Sequence, residues 1–130
     1  MKLLICGSRS VTDPDIIFSS IEKSLSQLVI SKKQIKEVIH GGAKGVDRIA
    51  GDWAKKNNIP VKIFYPDWDL GKKAGPLRNI EMCEYVGKGN PLICIHDGVS
   101  KGALQCYVYG REIGLKAYIC LAEAKNELRI

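Results

Sequence analysis

Three short segments gather glycine with a cation or a hydroxyl. They are Gly7-Ser8-Arg9-Ser10, Gly41-Gly42-Ala43-Lys44-Gly45 running on to Asp47, and Asp97-Gly98-Val99-Ser100-Lys101-Gly102. Glycine lets a backbone approach a bound group closely, and unpaired amides at a helix start favour an anion. Arg9, Lys44 and Lys101 add positive charge to the same segments. The chemistry on offer is phosphate or nucleotide binding. The bland alternative for each segment taken singly is a tight turn. None has the Walker A spacing and none is a true GxGxxG, which disfavours an ordinary ATPase or an NAD-dependent dehydrogenase.

A fourth segment adds an aromatic ring and a guanidinium. Pro66-Asp67-Trp68-Asp69 is followed by Gly75-Pro76-Leu77-Arg78-Asn79. Arg78 could clamp a phosphate through two parallel N–H donors. Trp68 could stack on a base or cover a pocket. The competing readings are that Trp68 packs on the sheet edge and that Arg78 pairs with Asp67 or Asp69. Asp47, in a first helical turn, either is favoured there by the helix dipole whatever the function or holds a ribose hydroxyl. Asp97, before Gly98, either shapes an Asx-type turn or holds a ribose hydroxyl. His40 and His96 end strands without further ligand spacing, so no metal site is expected. Trp53 reads as core.

The elements that would position these residues alternate. Strands are expected over 2–6, 37–40, 61–64, 92–95 and 117–121. The first helix starts at Asp13 as cap with Pro14 in its first position, and Ile17, Ile21, Leu25 and Leu28 form its apolar stripe. Val46, Ile49, Ala50, Trp53 and Ala54 mark the second helix at helical spacing, which Asn57-Asn58 ends. Residues 67–76 read as a loop and 77–85 as a third helix. A fourth carries Leu104, Tyr107, Val108 and Arg111 on one face and closes at Gly114. The segment after Ala122 is polar and reads as a frayed tail. Strands separated by helices imply parallel βαβ units with right-handed crossovers, and continuous apolar strands imply a sheet covered on both faces. In such a sheet, ligands bind beyond the carboxyl ends of the strands. All three glycine segments fall at that edge, and the 41–45 and 98–102 loops are expected close together.

Composition sets the frame. A chain of 130 residues, 45% hydrophobic and 26% charged, reads as one globular domain. The net charge of +6 favours anionic partners, although a solvated basic surface explains it as well. The five cysteines form no CxxC pair, and Cys6, Cys94 and Cys120 fall in expected strands. That pattern fits a reduced cytoplasmic interior better than disulfides or zinc. No apolar run is long enough for a signal peptide or a membrane helix.

In this order, several of these residues resemble the SLOG superfamily, in particular its YspA-like branch of unknown function. They are Gly7-Ser8-Arg9, the stretch from Gly41 to Asp47 with Trp53-Ala54, Pro66-Asp67-Trp68 with Gly71 and Lys72, Ala74-Gly75 with Arg78-Asn79 and Met82, and Asp97-Gly98 with Ser100 and Gly102. The group also holds the LOG phosphoribohydrolases and the DprA/Smf proteins. The resemblance implies a Rossmann-like three-layer fold and a nucleotide-derived small-molecule ligand. LOG enzymes carry Gly-Gly-x-Gly-Thr-x-x-Glu after the equivalent strand. Here Ala103 stands for the Thr and Cys106 for the catalytic Glu, while Arg78 matches the family's Arg. The first expectation is therefore a binding or sensing module without turnover and without cofactor. A hydrolase of the nucleotide glycosidic bond, with Asp97 or Asp47 substituting for the Glu, is the alternative. Nucleic-acid binding is disfavoured, because the basic residues are scattered and the aromatics form no stacking stripe. A homo-oligomer is left open.

Overall fold

The computed structural model describes residues 1–122, and the polar tail after Ala122 lies outside them. Strands β1 (Lys2–Gly7), β2 (Glu37–His40), β3 (Val61–Ile63), β4 (Pro91–His96) and β5 (Lys116–Leu121) alternate with helices α1 (Pro14–Gln27), α2 (Val46–Lys56), α3 (Ala74–Val86) and α4 (Lys101–Glu112). Every neighbouring pair of strands is parallel, and the order is β3-β2-β1-β4-β5. The chain winds outward from β1 to one edge, then crosses to β4 on the other side. The winding reverses between β1 and β4, where an open sheet leaves a crevice beyond its carboxyl ends.

Alternate strand residues feed two cores. Leu3, Ile5, Val38, Ile93 and Ile95 cluster with Ile17, Ile21 and Leu25 of α1 and Val46, Ala50 and Trp53 of α2. Leu4, Cys6, Ile39, Leu92 and Cys94 cluster with Met82, Cys83 and Val86 of α3 and Ala103 and Cys106 of α4. The result is three layers, helix pair on sheet on helix pair. Asp13 caps α1 through its carboxylate, which accepts from the Asp15 amide at 2.9 Å. Trp53 is core, with its indole N–H donating to Glu22 at 2.9 Å. All five cysteines are free and buried.

One expectation is corrected. The 67–76 segment is not a plain loop: a 3-10 segment runs over Trp68–Lys73, kinked at Gly71, and α3 begins at Ala74, three residues earlier than expected. Pro76 misled the reading. Within the first turn its missing N–H leaves no helical bond unmade, so it is tolerated there. In α4, the face carrying Leu104 and Val108 looks outward, each residue 43% exposed. The buried face is Ala103, Cys106 and Gly110. Small residues win because α4 lies so close to the sheet that a Cβ on Gly110 would come within 2.5 Å of Leu92 Cδ1. Among the described residues, no helix is long and apolar enough to cross a membrane.

Candidate functional site

The edge of the sheet is built by a device used twice. His40 ends β2, and its Nδ1 accepts from the Gly42 amide at 3.0 Å. His96 ends β4, and its Nδ1 accepts from the Gly98 amide at 2.9 Å. Both glycines have positive φ, 75° and 97°, which folds each amide back onto its ring. His40 must be neutral to accept this bond, and burial, with Arg78 nearby, lowers its pKa to about 4. The repeated His-x-Gly in His40-Gly41-Gly42 and His96-Asp97-Gly98 is the sequence signal that could have found these roles.

Five further loop amides are spent inside the protein. Asp47 accepts from the Gly41 and Ala43 amides at 3.2 and 3.3 Å. Burial raises its pKa to about 6, against the pull of the Ala43 amide and Arg78. Asp97 accepts from the Val99 and Ser100 amides, both at 2.8 Å, and from the Ser10 hydroxyl at 2.6 Å. The Ser10 hydroxyl, followed by those two amides, holds its carboxyl well below the ordinary range. The Asp97 amide donates to the buried Ser8 hydroxyl at 3.0 Å, tying β1 to β4. Asp97 thus forms the Asx-type turn.

The helix starts differ from one another. The first turn of α1 holds Asp15 and that of α2 holds Asp47. α3 and α4 have neither an acidic residue in the first turn nor a side-chain cap. Pro76 has no N–H and the Ala74 amide goes to Gly71, so α3 offers chiefly its dipole. α4 offers the amides of Lys101, Gly102 and Ala103.

Arg78 joins these parts. It is 9% exposed. Its Nη1 donates to the carbonyls of Gly41 and Phe64, and its Nε donates to Asn79 Oδ1 at 2.9 Å. Asn79 in turn donates to Gln105 Oε1 at 2.8 Å, linking α3 to α4. Arg78 pairs with neither Asp67 nor Asp69, and among the described residues no carboxylate lies within ion-pair distance of it. The guanidinium lies against Gly41 so closely that a Cβ there would be 2.5 Å from Nη1. Gly41 is therefore required by the protein's own packing, not by a ligand. Gly45 is too, with a Cβ meeting the Arg9 carbonyl at 2.7 Å.

Two adjoining pockets open at this edge. The larger, about 640 Å³, is lined by Gly7, Arg9, Ser10, Ala43, Asp47, Gly75, Arg78, Asn79, Asp97, Ser100, Lys101 and Gly102, with Cys6 and Cys106 also on its wall. The smaller, about 340 Å³, is lined by Arg9, Gly41, Gly42, Ala43, Lys44, Arg48, Tyr65, Trp68 and Arg78. The 41–45 and 98–102 loops thus meet at one edge. Ser8, Gly45, Asp67 and Gly98 line neither pocket, and Asp67 caps the 3-10 segment by accepting from Asp69 N at 3.1 Å. Trp68 does not pack on the sheet: it is 63% exposed. Ser10 and Gly75 lie within segments read from the sequence and line the larger pocket. Arg48 and Tyr65 adjoin such segments, while Gln105 sits in the middle of α4 with no local signal.

The family model described as YspA, cpYpsA-related SLOG family matches residues 1–71. The Gene 61 protein of Mycobacterium phage D29 is 32% identical over 133 residues, covering 96% of this chain and 89% of that protein. No solved structure matches.

Proposed function

The chain belongs to the YspA, cpYpsA-related SLOG family, and from that premise we propose that it binds a nucleotide-derived small molecule in the larger pocket, as a binding or sensing module. One observation carries the reading: the starts of α3 and α4, neither with an acidic residue in its first turn, converge on a single pocket beside a buried guanidinium that has no carboxylate within ion-pair distance among the described residues. Each helix start presents positive potential, and an unpaired buried charge is costly unless something compensates it. A phosphate at this point answers both. Arg9 and Lys101 flank it, and the base and sugar extend along the wall made by Asn79, Met82 and Cys106.

A second reading, hydrolysis of the glycosidic bond, has one observation in its favour. Asp47 lines the pocket with a pKa near 6, where a carboxyl can deliver a proton at physiological pH. One of its oxygens already takes two amide bonds, and Cys106 occupies the position of the LOG-type Glu, so binding without turnover is preferred.

The test is a thermal-shift screen of nucleoside monophosphates, cyclic nucleotides and ADP-ribose, followed by calorimetry on hits. At least one should raise Tm in a concentration-dependent way. Arg78→Lys should weaken it roughly ten- to a hundredfold, because an ammonium cannot hold two carbonyls and face a phosphate as the guanidinium fork does. If no anionic nucleotide binds, the reading falls. If chromatography of the mixtures finds free base, and Asp47→Asn abolishes it, the hydrolase reading replaces it.

A further inference from the structure

The smaller pocket differs in kind from the larger. Arg9, Lys44, Arg48 and Arg78 line it and no carboxylate does, whereas Asp47 and Asp97 line the larger. Two aromatic rings stand at its rim, Tyr65 at 72% and Trp68 at 63% exposure. Neither has a ring partner among the described residues, where the ring pair is Phe64 with Tyr85, tilted at 56°. Large exposed rings gathered at a concave surface mark a place where something else is meant to lie. The Tyr65 ring is also held in position. The Tyr65 ring rests on the Gly42 backbone, where a Cβ would come within 2.7 Å of Cε1. Arg48 Nε donates to the Gly42 carbonyl at 3.0 Å, which fixes the guanidinium beside the rings. The two pockets share Arg9, Ala43 and Arg78.

We infer that the smaller pocket is a second subsite, in which a base stacks on Tyr65 and Trp68, so that the ligand is a dinucleotide: two nucleoside halves joined through phosphates lying along the shared Arg9–Arg78 wall. The inference rests on the reading of the larger pocket as the place of the first nucleotide. A cationic wall between two subsites suits a bridging diphosphate, which a mononucleotide would leave half used. A volume near 340 Å³ is at the small end of the range of about 300–1,000 Å³ for ligand pockets, enough for one half and not for a whole dinucleotide. A longer single strand is less suited, because two rings, Tyr65 and Trp68, are the aromatic lining of the two pockets, where a strand would stack on a longer series.

The experiment titrates the full chain with dinucleoside 5′,5′-diphosphates carrying adenine, guanine, uracil or nicotinamide, with the matching 5′-monophosphates, and with adenine and thymine hexadeoxynucleotides. Calorimetry and tryptophan emission are the readouts. Trp53 is buried and Trp68 exposed, so ligand-dependent quenching reports on Trp68. At least one dinucleotide should bind tenfold or more tightly than the better of its two halves and quench the emission. Trp68→Ala and Tyr65→Ala should each remove roughly five- to a hundredfold of affinity, the equivalent of one base–aromatic stack, and leave monophosphate affinity within about twofold. Trp68→Phe should restore most of the loss. If monophosphates bind and no dinucleotide binds more tightly, the second subsite falls and the first stands. If neither binds, both fall. If a hexanucleotide binds more tightly than every dinucleotide and quenches Trp68, the occupant is a nucleic-acid strand and the inference is overturned.

Discussion

The loop leading into α2 and the loop leading into α4 begin alike and end differently. Each starts with a strand-terminal histidine that folds back the amide two residues on. After that, the α2 loop closes on itself. Asp47 reaches back from the helix to take two amides, and Gly41 lies against Arg78. The α4 loop satisfies its own amides through Asp97, which belongs to the loop, and leaves the helix start open. A Cβ on Gly98 or Gly102 would meet nothing within 4 Å, and Gly102 lines the larger pocket. Two glycine-rich segments of similar appearance thus do opposite work: one is scaffold, the other an open rim.

The largest test of this contrast is a pair of alanine substitutions. Gly41→Ala drives a methyl against the Arg78 guanidinium, which can yield only by giving up its carbonyl contacts, at an expected loss of about 2–3 kcal/mol. Gly98→Ala meets no atom and carries only the strain of its positive φ, about 1–2 kcal/mol. Urea denaturation measures both, and equal losses would erase the distinction.

A smaller effect follows from the two titrating groups of the α2 loop. The folded-state pKa of Asp47 is raised from 3.8 to about 6. Its stabilising contribution is therefore fully present below pH 3.8 and is lost as pH rises through 6. The folded-state pKa of His40 is lowered from 6.5 to about 4, so its contribution is present above 6.5 and lost as pH falls through 4. The two oppose each other across one window. Asp47→Asn removes only the first. Relative to the variant, the wild type should gain on the order of 2–3 kcal/mol between pH 7 and pH 4. Stability curves that run parallel over this range would show that Asp47 is not buried in its ionised form.

The smallest effect has two signs. Gly102→Ala replaces a poor helix former in an open first turn, so the fold should become more stable by about 0.5–1 kcal/mol. Nucleotide affinity should fall at the same time, because the new methyl narrows the pocket at the free amides of α4. A more stable variant with unchanged affinity would move the ligand away from this rim.

The sequence by itself determined the alternation of strands and helices, the start of α1 at Asp13-Pro14, the burial of Trp53 and the convergence of the glycine segments on one edge. These follow from local periodicity, local capping and the handedness of βαβ units, all of which are written in neighbouring residues. It also carried the family, through motifs spread along the chain. Tertiary structure alone decided which amides remain free. The Asp97 amide is taken by Ser8, 89 positions away, and the Gly41 carbonyl by Arg78, 37 positions away. It likewise decided that α4 buries Cys106 and Gly110 rather than Leu104 and Val108, since the closeness of helix to sheet, not side-chain hydrophobicity, selected the face. The smaller pocket depends on Tyr65, two residues past β3, and Arg48 from α2 lining one hollow, two residues with no common motif. Hydrogen-bond partners and packing distances are properties of segments brought together, and a linear pattern does not contain them.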